Sequence, residues 1–493
     1  MNLWKLYDDR PDLNIYDVSD ILKVGEPLIP KNHVKRLENL DVYKLLYDGN
    51  RESLENYYRD ELIRYGVYKA DSDNKMMVIT NYCRQATRDL IWLAISSNPL
   101  ISSDKKTENK KIQKWMNEKN VNKKLIEKIL INCHVTGNCF VRIVPSKGTY
   151  NDFQVLDSEQ VFPIIDLMTN TVKSYVMIYR YTRGNEKRAR YLISEWGKDT
   201  VYDVALNGDT IANIQLVGSN ATGINGYSIV NFVVNEGLAY SEYGVSAYND
   251  ATSLQSSIVR ALNTIIVIQE RYSHPILQGP REIVENVANG CIGIDDENSC
   301  SVNQNNIRDE IEIMGKLVEI DGDRGFEYVQ FKGYTEIYQK FIDECLEPKI
   351  VKALGNMETL VNRRENVNVD SSKALRLLYS NAINLAEGYC DGIKGKLGEL
   401  VRILTKLNEN SNVNVIFYPG VADFPEEREE YANRRVINGT FSQVDSIMYQ
   451  DGVSEEEAIA KLKKINEDKK KYEETTTDIK TENITNITEN IEQ

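Results

Sequence analysis

The chain is poor in the side chains that carry most proton-transfer and metal chemistry. It has only three histidines, His33, His134 and His274, which lie far apart in sequence. Cys133 beside His134 could supply two metal ligands, but no second cluster of ligands is near, which favours a packed thiol next to an ordinary histidine. No C-x-x-C pair occurs, and this favours free thiols in a reducing interior. The seven cysteines are Cys83, Cys133, Cys139, Cys291, Cys300, Cys345 and Cys390.

Sequence motifs of the common catalytic classes are also lacking. No phosphate-binding G-x-x-x-x-G-K-[ST], dinucleotide G-x-G-x-x-G, metalloprotease H-E-x-x-H or hydrolase G-x-S-x-G is found. The acidic runs Asp295–Glu297 and Glu426–Glu430 are more typical of solvated faces than of an acid/base pair. We therefore predict no catalytic residue, no metal site and no cofactor.

Long hydrophobic runs and excess positive charge are missing as well. No run of about 18 apolar residues occurs, so we predict no transmembrane helix and no membrane partner, and no secretory signal is recognisable. Lys and Arg number 60 against 74 Asp and Glu, a net charge of -14. Such a chain is a poor candidate for gripping nucleic acid through phosphates, although it could surround DNA without holding it.

What the sequence does contain is one distinctive stretch, 245–281. Leu254, Ile258, Leu262 and Ile265 recur at helical spacing and predict one apolar helix face. His274-Pro275 and Gly279-Pro280 end the helix abruptly. From the residues alone, a buried core helix and a helix at an interface are both compatible with this pattern.

The elements before this stretch fall into two groups. Residues 31–66 are predicted to be helical with a break at Asp48-Gly49-Asn50, and further helices are predicted over 76–97, 105–119 and 125–135. From Cys139 the period changes to two, which predicts an antiparallel β subdomain over about 139–233. The fold class is therefore α+β.

The elements after it include two more helices of interest. Short strands are expected within 275–331, with Asp321–Gly325 as a hairpin turn. Lys332–Leu346 predicts a helix carrying Ile337, Phe341 and Cys345 on one face, with a kink at Pro348. Residues 355–370 read as a loop.

The longest helix is predicted over 371–408, capped by Ser371 or Ser372. Its cluster of glycines indicates a bend or a close helix crossing: Gly388, Gly392, Gly395 and Gly398. A strand over 413–419, a helix from Pro425 to Gly439, and helices capped by Ser442 with Asp445 and by Ser454 with Glu457 follow. From Asp468 onward the composition predicts disorder.

The order of these elements resembles the portal proteins of long-tailed double-stranded DNA bacteriophages, and several stretches resemble that family in residue pattern. They include an Asn-initiated helix ending in Asn-Pro, a Gly-led strand, a Gly-x-Ser entry into the first long helix and a Ser-x-x-Ala-Leu entry into the last one. The stretches are NYCRQATRDLIWLAISSNPL (81–100), VTGNCFVRIVP (135–145), VLDSEQVFPIIDLMTN (155–170), YSIVNFVVNEGLAYSEYGVSAYNDA (227–251), VNVDSSKALRLLYSNAINLAE (367–387) and FSQVDSIMYQDGVSEEEAIAKLKKINED (441–468).

The resemblance implies a portal fold with a β-containing wing, a two-helix stem, a small α/β clip, a long wing helix and a helical crown. The implied parts are wing 1–245, stem helix 246–272, clip 273–332, stem helix 333–354, tunnel loop 355–370, wing helix and strand 371–420, crown 421–467 and tail 468–493. The family's members are structural proteins that form rings, usually dodecamers, at one capsid vertex.

It also implies partners and a location. Double-stranded DNA would pass through the ring without sequence specificity. Other expected partners are the terminase large subunit, head-completion or adaptor proteins, and the major capsid and scaffolding proteins. The expected location is the virion portal vertex, after assembly in the host cytoplasm.

Three sets of residues would carry these roles. The DNA-facing set of the tunnel loop is Asn362, Arg363, Arg364, Glu365 and Asn366, although the two arginines could instead pair with a neighbouring subunit. The stem contacts between subunits are Leu254, Ile258, Leu262 and Ile265. The clip contacts to motor or adaptor are Arg281, Glu282, Glu285 and Asn286, which could equally contact other subunits.

Two rival classes stay open at this point. One is a scaffold or adaptor unrelated to DNA. The other is a DNA-processing enzyme with a dispersed acidic metal site. No local spacing of carboxylates in the sequence indicates such a site.

Overall fold

The fold is described from a computed structural model that mixes helices and antiparallel sheets, and the α+β prediction is confirmed. The residues described are 14–68, 77–96, 98–166, 168–235, 242–272, 276–280, 317–320, 327–329, 334–354, 379–420, 425–438, 442–451 and 458–468.

The first long elements of the chain are helices, as the spacing of their hydrophobic residues predicts. The break near Asp48 is confirmed, because Asn50 caps the second helix by accepting a hydrogen bond from the Ser53 amide at 2.8 Å. The third helix begins at Tyr82 rather than Met76, and Asn81 caps it at 3.0 Å from the Arg84 amide. These helices are α1 (Lys31–Asp48), α2 (Arg51–Arg64), α3 (Tyr82–Ala94), α4 (Lys106–Lys119) and α5 (Glu127–Thr136), with a π turn at Asn122–Ile126.

The block expected to be antiparallel β structure forms two sheets. A three-stranded sheet has the order β3-β2-β9, and a five-stranded sheet has the order β4-β5-β6-β7-β8. Asn170 and Gly208, in two of the turns between strands, have positive φ angles of 56° and 64°. The strands are β2 (Asn138–Val144), β3 (Asp152–Leu156), β4 (Val161–Ile165), β5 (Val172–Arg183), β6 (Glu186–Glu195), β7 (Lys198–Asn207), β8 (Thr210–Ala221) and β9 (Ile229–Val233).

Residues 14–30 cross one face of the five-stranded sheet from edge to edge. Ile15 bridges to Ile164 on β4, and Pro27 bridges to Thr210 on β8. Ile15, Ile21 and Leu28 are buried against the sheet in one apolar cluster. The leading segment therefore covers this core from one edge strand to the other.

Two long helical elements follow the sheets. The stretch at 245–281 contains α6 (Tyr248–Tyr272), and the second element consists of α7 (Tyr334–Phe341), a π turn at Ile342–Leu346 and α8 (Glu347–Ala353). The expected interruption near Pro348 takes the form of this π turn, directly before the proline. The two elements pack against each other.

Between them the expectation of a hairpin at Asp321–Gly325 is wrong. The strands on either side, β11 (Leu317–Ile320) and β12 (Glu327–Val329), both pair with β10 (Ile276–Pro280) and not with each other. β10 pairs with β11 in parallel and with β12 antiparallel.

The last long helix is described as α9 (Ser380–Leu404), which ends earlier than the predicted Asn408. Gly398 allows close approach, though to non-helical chain rather than to a crossing helix, whereas Gly392 would have room for a Cβ in ordinary contact. A Cβ on Gly398 would lie 2.7 Å from the Val413 carbonyl oxygen, and one on Gly392 would lie 3.5 Å from Val234. The predicted strand is β13 (Val413–Ile416), antiparallel to β1 (Leu100–Ser103).

The chain divides into two compact units. The first comprises 1–365 and 381–419, and the second comprises 366–380 and 420–493. In the second unit Ser442 and Asp445 cap α11 reciprocally, because each side chain accepts from the other residue's amide. Its helices are α10 (Pro425–Ile437), α11 (Gln443–Asp451) and α12 (458–468). The predicted caps at Ser371 or Ser372 and at Ser454 with Glu457, and the predicted disordered tail after α12, lie outside the described residues.

Candidate functional site: the paired long helices

Helix α6 holds an extended segment, 77–81, through the side chain of Asn263. The Asn263 carbonyl oxygen accepts from the Tyr68 hydroxyl at 2.7 Å and from the Val78 amide at 3.1 Å. Its amide nitrogen donates to the Val78 carbonyl and to the Val259 carbonyl, both at 2.8 Å. All hydrogen-bonding positions of this buried carboxamide are therefore satisfied.

Gln255 continues the same connection toward α3. Its carbonyl oxygen accepts from the Tyr82 amide at 3.1 Å, and its amide donates to the Thr80 carbonyl. Gln255 and Asn263 are about 12 Å apart along the helix, and Val78 and Tyr82 are about 13 Å apart along an extended chain. The match lets the two carboxamides, which we call the carboxamide seam, bind the segment at both ends.

The seam explains why α3 begins later than its apolar spacing predicts. Val78 and Thr80 direct backbone groups at α6, which is possible in an extended chain but not in a helix. Sequence reasoning missed Gln255 and Asn263. The available signal was their placement on one face of a helix that contains a single charge, Arg260, between Asp250 and Glu270.

The start of α6 is fixed by hydroxyl groups. The Ser246 hydroxyl donates to the Val135 carbonyl at 2.5 Å and accepts from the Tyr248 amide at 3.0 Å. Tyr248 is fully buried and donates to the Cys83 carbonyl at 2.9 Å, beside the Thr87 hydroxyl. These bonds tie the first turn of α6 to the ends of α5 and α3.

A contact between two glycines lies next to this junction. A Cβ on Gly137 would lie 2.3 Å from the Gly244 carbonyl oxygen, and a Cβ on Gly244 would lie 2.1 Å from the Gly137 carbonyl oxygen. Gly137 also has φ +86°, a left-handed conformation that favours glycine. The Gly-led strand and the Gly-x-Ser entry, which are distant in sequence, therefore meet in space.

His134 lies beneath the same junction as a structural residue. Asn235 donates to the Tyr389 hydroxyl at 2.8 Å, and that hydroxyl lies 3.0 Å from His134 Nδ1. The Tyr389 hydroxyl can accept from both groups, and the direction of its hydrogen bond with Nδ1 depends on the tautomer of His134. Burial lowers the pKa of His134 to about 4, which keeps the ring neutral.

The predicted apolar stripe of α6 is divided between buried and half-buried positions. Ile258 is completely buried within the chain, whereas Leu254, Leu262 and Ile265 are half-buried. Ile258 therefore has no exposed surface in the single chain. The roles of all four residues as subunit contacts stay predictions.

The second helical element has two adjacent apolar stripes, one buried and one exposed, about 100° apart around the helix. One stripe is buried in the chain and consists of Ile342, Leu346, Ile350 and Leu354. The stripe predicted from the sequence is exposed. Ile337 is 66% exposed, Phe341 is 48% exposed and Cys345 is an exposed free thiol. We call Ile337, Phe341 and Cys345 the outer stripe.

The other predicted site residues cannot be compared with the structure. The tunnel-loop set at 362–366 and the clip set at 281–286 lie outside the described residues. Among the residues that are described, no group of three or more His, Cys, Asp or Glu side chains could hold a metal ion. Cys133 donates to the Phe232 carbonyl, as expected of a packed thiol.

Helix α6 also has the length and composition of a membrane span. The segment Tyr248–Gln269 has 22 residues and a mean hydropathy of 1.2, so it is long and apolar enough to cross a membrane. A helix in a protein core can have the same length and composition. The hydrogen bonds of Gln255 and Asn263 to residues 78–82 are those of a helix packed in protein.

The distinctive feature of the described residues is the pair of long helical elements that pack against each other. Comparison with known proteins then gives the family. The model of the family described as "Phage portal protein, SPP1 Gp6-like" matches residues 28–489, and the chain belongs to this family of phage portal proteins.

Other comparisons add little to this result. A solved chain from the "Neck of empty GTA particle computed with C6 symmetry" is 12% identical, with 88% of this chain and 99% of that chain covered. Its TM-score of 0.40 is too low to support an argument. No curated protein matches.

Proposed function

We propose that the chain assembles into a closed ring at one vertex of a phage capsid and forms the channel through which double-stranded DNA enters and leaves. The observation that carries this proposal is membership of the portal family across residues 28–489. The ring would dock the terminase large subunit during packaging and head-completion or adaptor proteins afterwards. Its assembly in the host cytoplasm would involve the major capsid and scaffolding proteins.

The outer stripe supports the ring as the assembled state. Ile337, Phe341 and Cys345 form an exposed apolar row beside the buried row of an element that packs against α6. An exposed apolar row on a long helix is typical of an interface. Within the ring, neighbouring helix pairs would cover this row, with Leu254, Leu262 and Ile265 as further contacts.

The charge of the chain suits a channel wall. A net charge of -14 per chain repels the DNA duplex. Each paired cation would strengthen DNA binding and hinder sliding. The expected tunnel loop, 355–370, supplies cations only at Arg363 and Arg364, where they would touch phosphates transiently.

Neighbouring residues in the second helical element allow a sharp test of assembly. Phe341→Asp places a charge on the outer stripe, whereas Ile342→Asp places the same charge in the chain's own core. We expect Phe341→Asp to give folded chains that fail to form rings, as measured by circular dichroism, sedimentation and negative-stain microscopy. We expect Ile342→Asp to unfold the chain. Rings of unchanged size from Phe341→Asp would contradict the proposal.

A second experiment tests the channel itself. Arg363→Glu combined with Arg364→Glu should still assemble into rings but should impair DNA packaging or retention. The control is Arg363→Lys with Arg364→Lys, which keeps the charge and should package normally. Normal packaging by the Glu variant would assign these arginines to another role.

The docking role of the clip can be tested separately. Exchanging residues 273–332 for those of a portal that uses a different terminase should redirect terminase binding. If binding does not follow the exchanged segment, then Arg281, Glu282, Glu285 and Asn286 belong to contacts between subunits.

A further inference from the structure

The stretch that contains helix α4 is strongly basic, although the chain as a whole is acidic. Residues 105–128 hold nine lysines, no arginine and three glutamates. Nine positive charges against three negative ones leave a net charge of +6 within 24 residues, whereas the whole chain carries -14. The positive charge of this protein is therefore concentrated in one short part of the fold.

Helix α4 is buried on one side and carries lysines on the other. Ile112, Trp115 and Met116 are buried, and the Trp115 ring packs edge-on against Phe153 of β3, with ring centroids 6.5 Å apart. Every exposed residue of this helix is polar. Apart from Glu118 near its end, the exposed residues are Lys106, Thr107, Lys110, Gln113, Lys114 and Asn117.

The carboxylates of the stretch neutralise this face only weakly. The Glu108 carboxylate accepts from the Ser103 hydroxyl at 2.6 Å and from the Ser411 hydroxyl at 2.8 Å, which holds it beside the neighbouring loop and away from the exposed side. Glu118 lies 3.7 Å from Lys114, and both side chains are largely exposed, so this ion pair contributes little. Most of the positive charge is therefore accessible to a partner.

A groove lined by carboxamides connects this face to further lysines. Asn117 of α4 and Lys123 of the π turn line the same groove, together with Asn120 and Asn122. Beyond it lie exposed lysines that form no ion pair with any described residue, namely Lys123, Lys124 and Lys128. We call the two groups together the lysine surface, which consists of Lys106, Lys110, Lys114, Lys123, Lys124 and Lys128.

The composition of the lysine surface fits a nucleic-acid backbone better than a protein. Interfaces between proteins have an apolar core and are depleted in lysine, whereas α4 exposes no apolar residue. Interfaces with DNA are more polar and more positively charged, and the amides of Asn and Gln donate to phosphate oxygens as lysine does. Lysine acts as a point charge without a fixed pairing geometry, which suits a contact that ignores sequence.

We infer that the lysine surface binds the phosphate backbone of double-stranded DNA without sequence specificity, as a contact separate from the tunnel loop. Lys106 and Lys114 are about 12 Å apart along α4, and a duplex presents about seven phosphate charges over that length. Helix α4 belongs to the expected wing, so the DNA bound there would lie outside the channel. The inference rests on the proposed function, which brings DNA to this protein.

Covalently closed circular DNA tests the inference, because it cannot thread a closed ring. Assembled rings are sedimented with a closed circular plasmid at several NaCl concentrations, and we expect binding that weakens steeply with salt. In a triple variant with Lys114→Gln, Lys123→Gln and Lys124→Gln, the slope of log affinity against log salt concentration should become less steep by about 2.7, which is about 0.9 for each lost phosphate contact. The variant should fold, because the three side chains are exposed and glutamine has a helix propensity close to that of lysine.

A matched control removes the same charge from another part of the chain. Lys147→Gln combined with Lys173→Gln and Lys187→Gln neutralises three exposed lysines of the β subdomain. This variant should bind the plasmid with unchanged affinity and an unchanged salt slope. Equal losses in the two triple variants would show that net charge alone decides the binding and would overturn the inference.

The other outcomes separate this inference from the proposed function. Rings that do not bind the plasmid would overturn the inference and leave the ring intact. Displacement of the plasmid by poly-glutamate at equal charge would assign the lysine surface to an acidic protein partner instead. Absence of rings in negative stain would overturn the proposed function, and the same plasmid and variants would then test the lysine surface on unassembled chains.

Discussion

Gly137 and Gly244 each occupy the space that a side chain on the other would need. A Cβ on either glycine would come within 2.3 Å of a carbonyl oxygen of its partner. This contact lets β2 and the entry to α6 cross without side chains between them. The three-stranded sheet and the first long helix of this portal protein are therefore joined backbone to backbone.

Alanine at Gly137 should be strongly destabilising. We expect a loss of about 1–2 kcal/mol from the left-handed conformation and about 1–3 kcal/mol from the steric clash, measured by urea unfolding. Gly184→Ala is the matched control, because Gly184 has φ +63° but nothing within 4 Å of its Cβ position. Equal losses at the two positions would show that the contact with Gly244 contributes nothing.

The carboxamide seam should be equally sensitive. Asn263→Ala leaves the Val78 amide and carbonyl without these partners in a partly buried place, at a cost of up to about 1–3 kcal/mol for each group. Ser257→Ala serves as the control, since its hydroxyl bonds only to the Ser253 carbonyl of its own helix. Hydrogen exchange at Val78 should rise in Asn263→Ala alone. Unchanged exchange would mean that other contacts hold the extended segment.

Ile258 and Leu262 should respond differently to truncation. Ile258→Ala should cost about 2–5 kcal/mol in the free energy of unfolding of the single chain. Leu262→Ala should cost clearly less, because its side chain is only half-buried. In assembled rings the difference between the two losses should become smaller, if a neighbouring subunit covers the Leu262 side chain. A larger loss at Leu262 than at Ile258 in the monomer would contradict this assignment.

His134 should make stability depend on pH. Its pKa is about 4 in the folded chain, against an ordinary value of 6.5. Between these values the unfolded chain takes up a proton that the folded chain does not, so stability falls as pH falls, by about 3 kcal/mol in all. Above pH 6.5 this residue has no effect.

Two variants isolate that contribution. His134→Asn removes the titrating ring and should flatten the stability profile between pH 4 and 6.5, relative to the unmodified chain. Tyr389→Phe loses the hydrogen bond but keeps the imidazole, so the slope should persist. An unchanged slope in His134→Asn would assign the pH dependence to carboxylates.

Local signals in the sequence predicted local structure well. The helix break at Asp48-Gly49-Asn50, the reciprocal cap of Ser442 with Asp445 and the change to period two after Cys139 each depend on near neighbours. They are confirmed because a few adjacent residues fix those geometries.

The remaining features depend on distant partners. Residues 77–80 continue a helical pattern, yet Gln255 and Asn263 hold them outside the helix. The stripe of Ile337, Phe341 and Cys345 was found from its spacing, but spacing alone does not reveal which stripe packs against α6. Likewise, the glycine at 398 signalled a close approach without naming Val413.

The π turn at Ile342–Leu346 makes the packing of the two helical elements depend on the number of residues in that turn. A spacing of four residues overshoots a full α-helical turn by about 40°, and a π turn, with one residue more, turns back in the other sense. The buried row from Ile342 to Leu354 therefore stays aligned along α6 although it repeats every fourth residue. Deleting one residue within the π turn would rotate Phe341 by about 100° relative to Ile350. The outer stripe and the buried row would then no longer hold their present angular positions around the helix, although no apolar side chain would be lost.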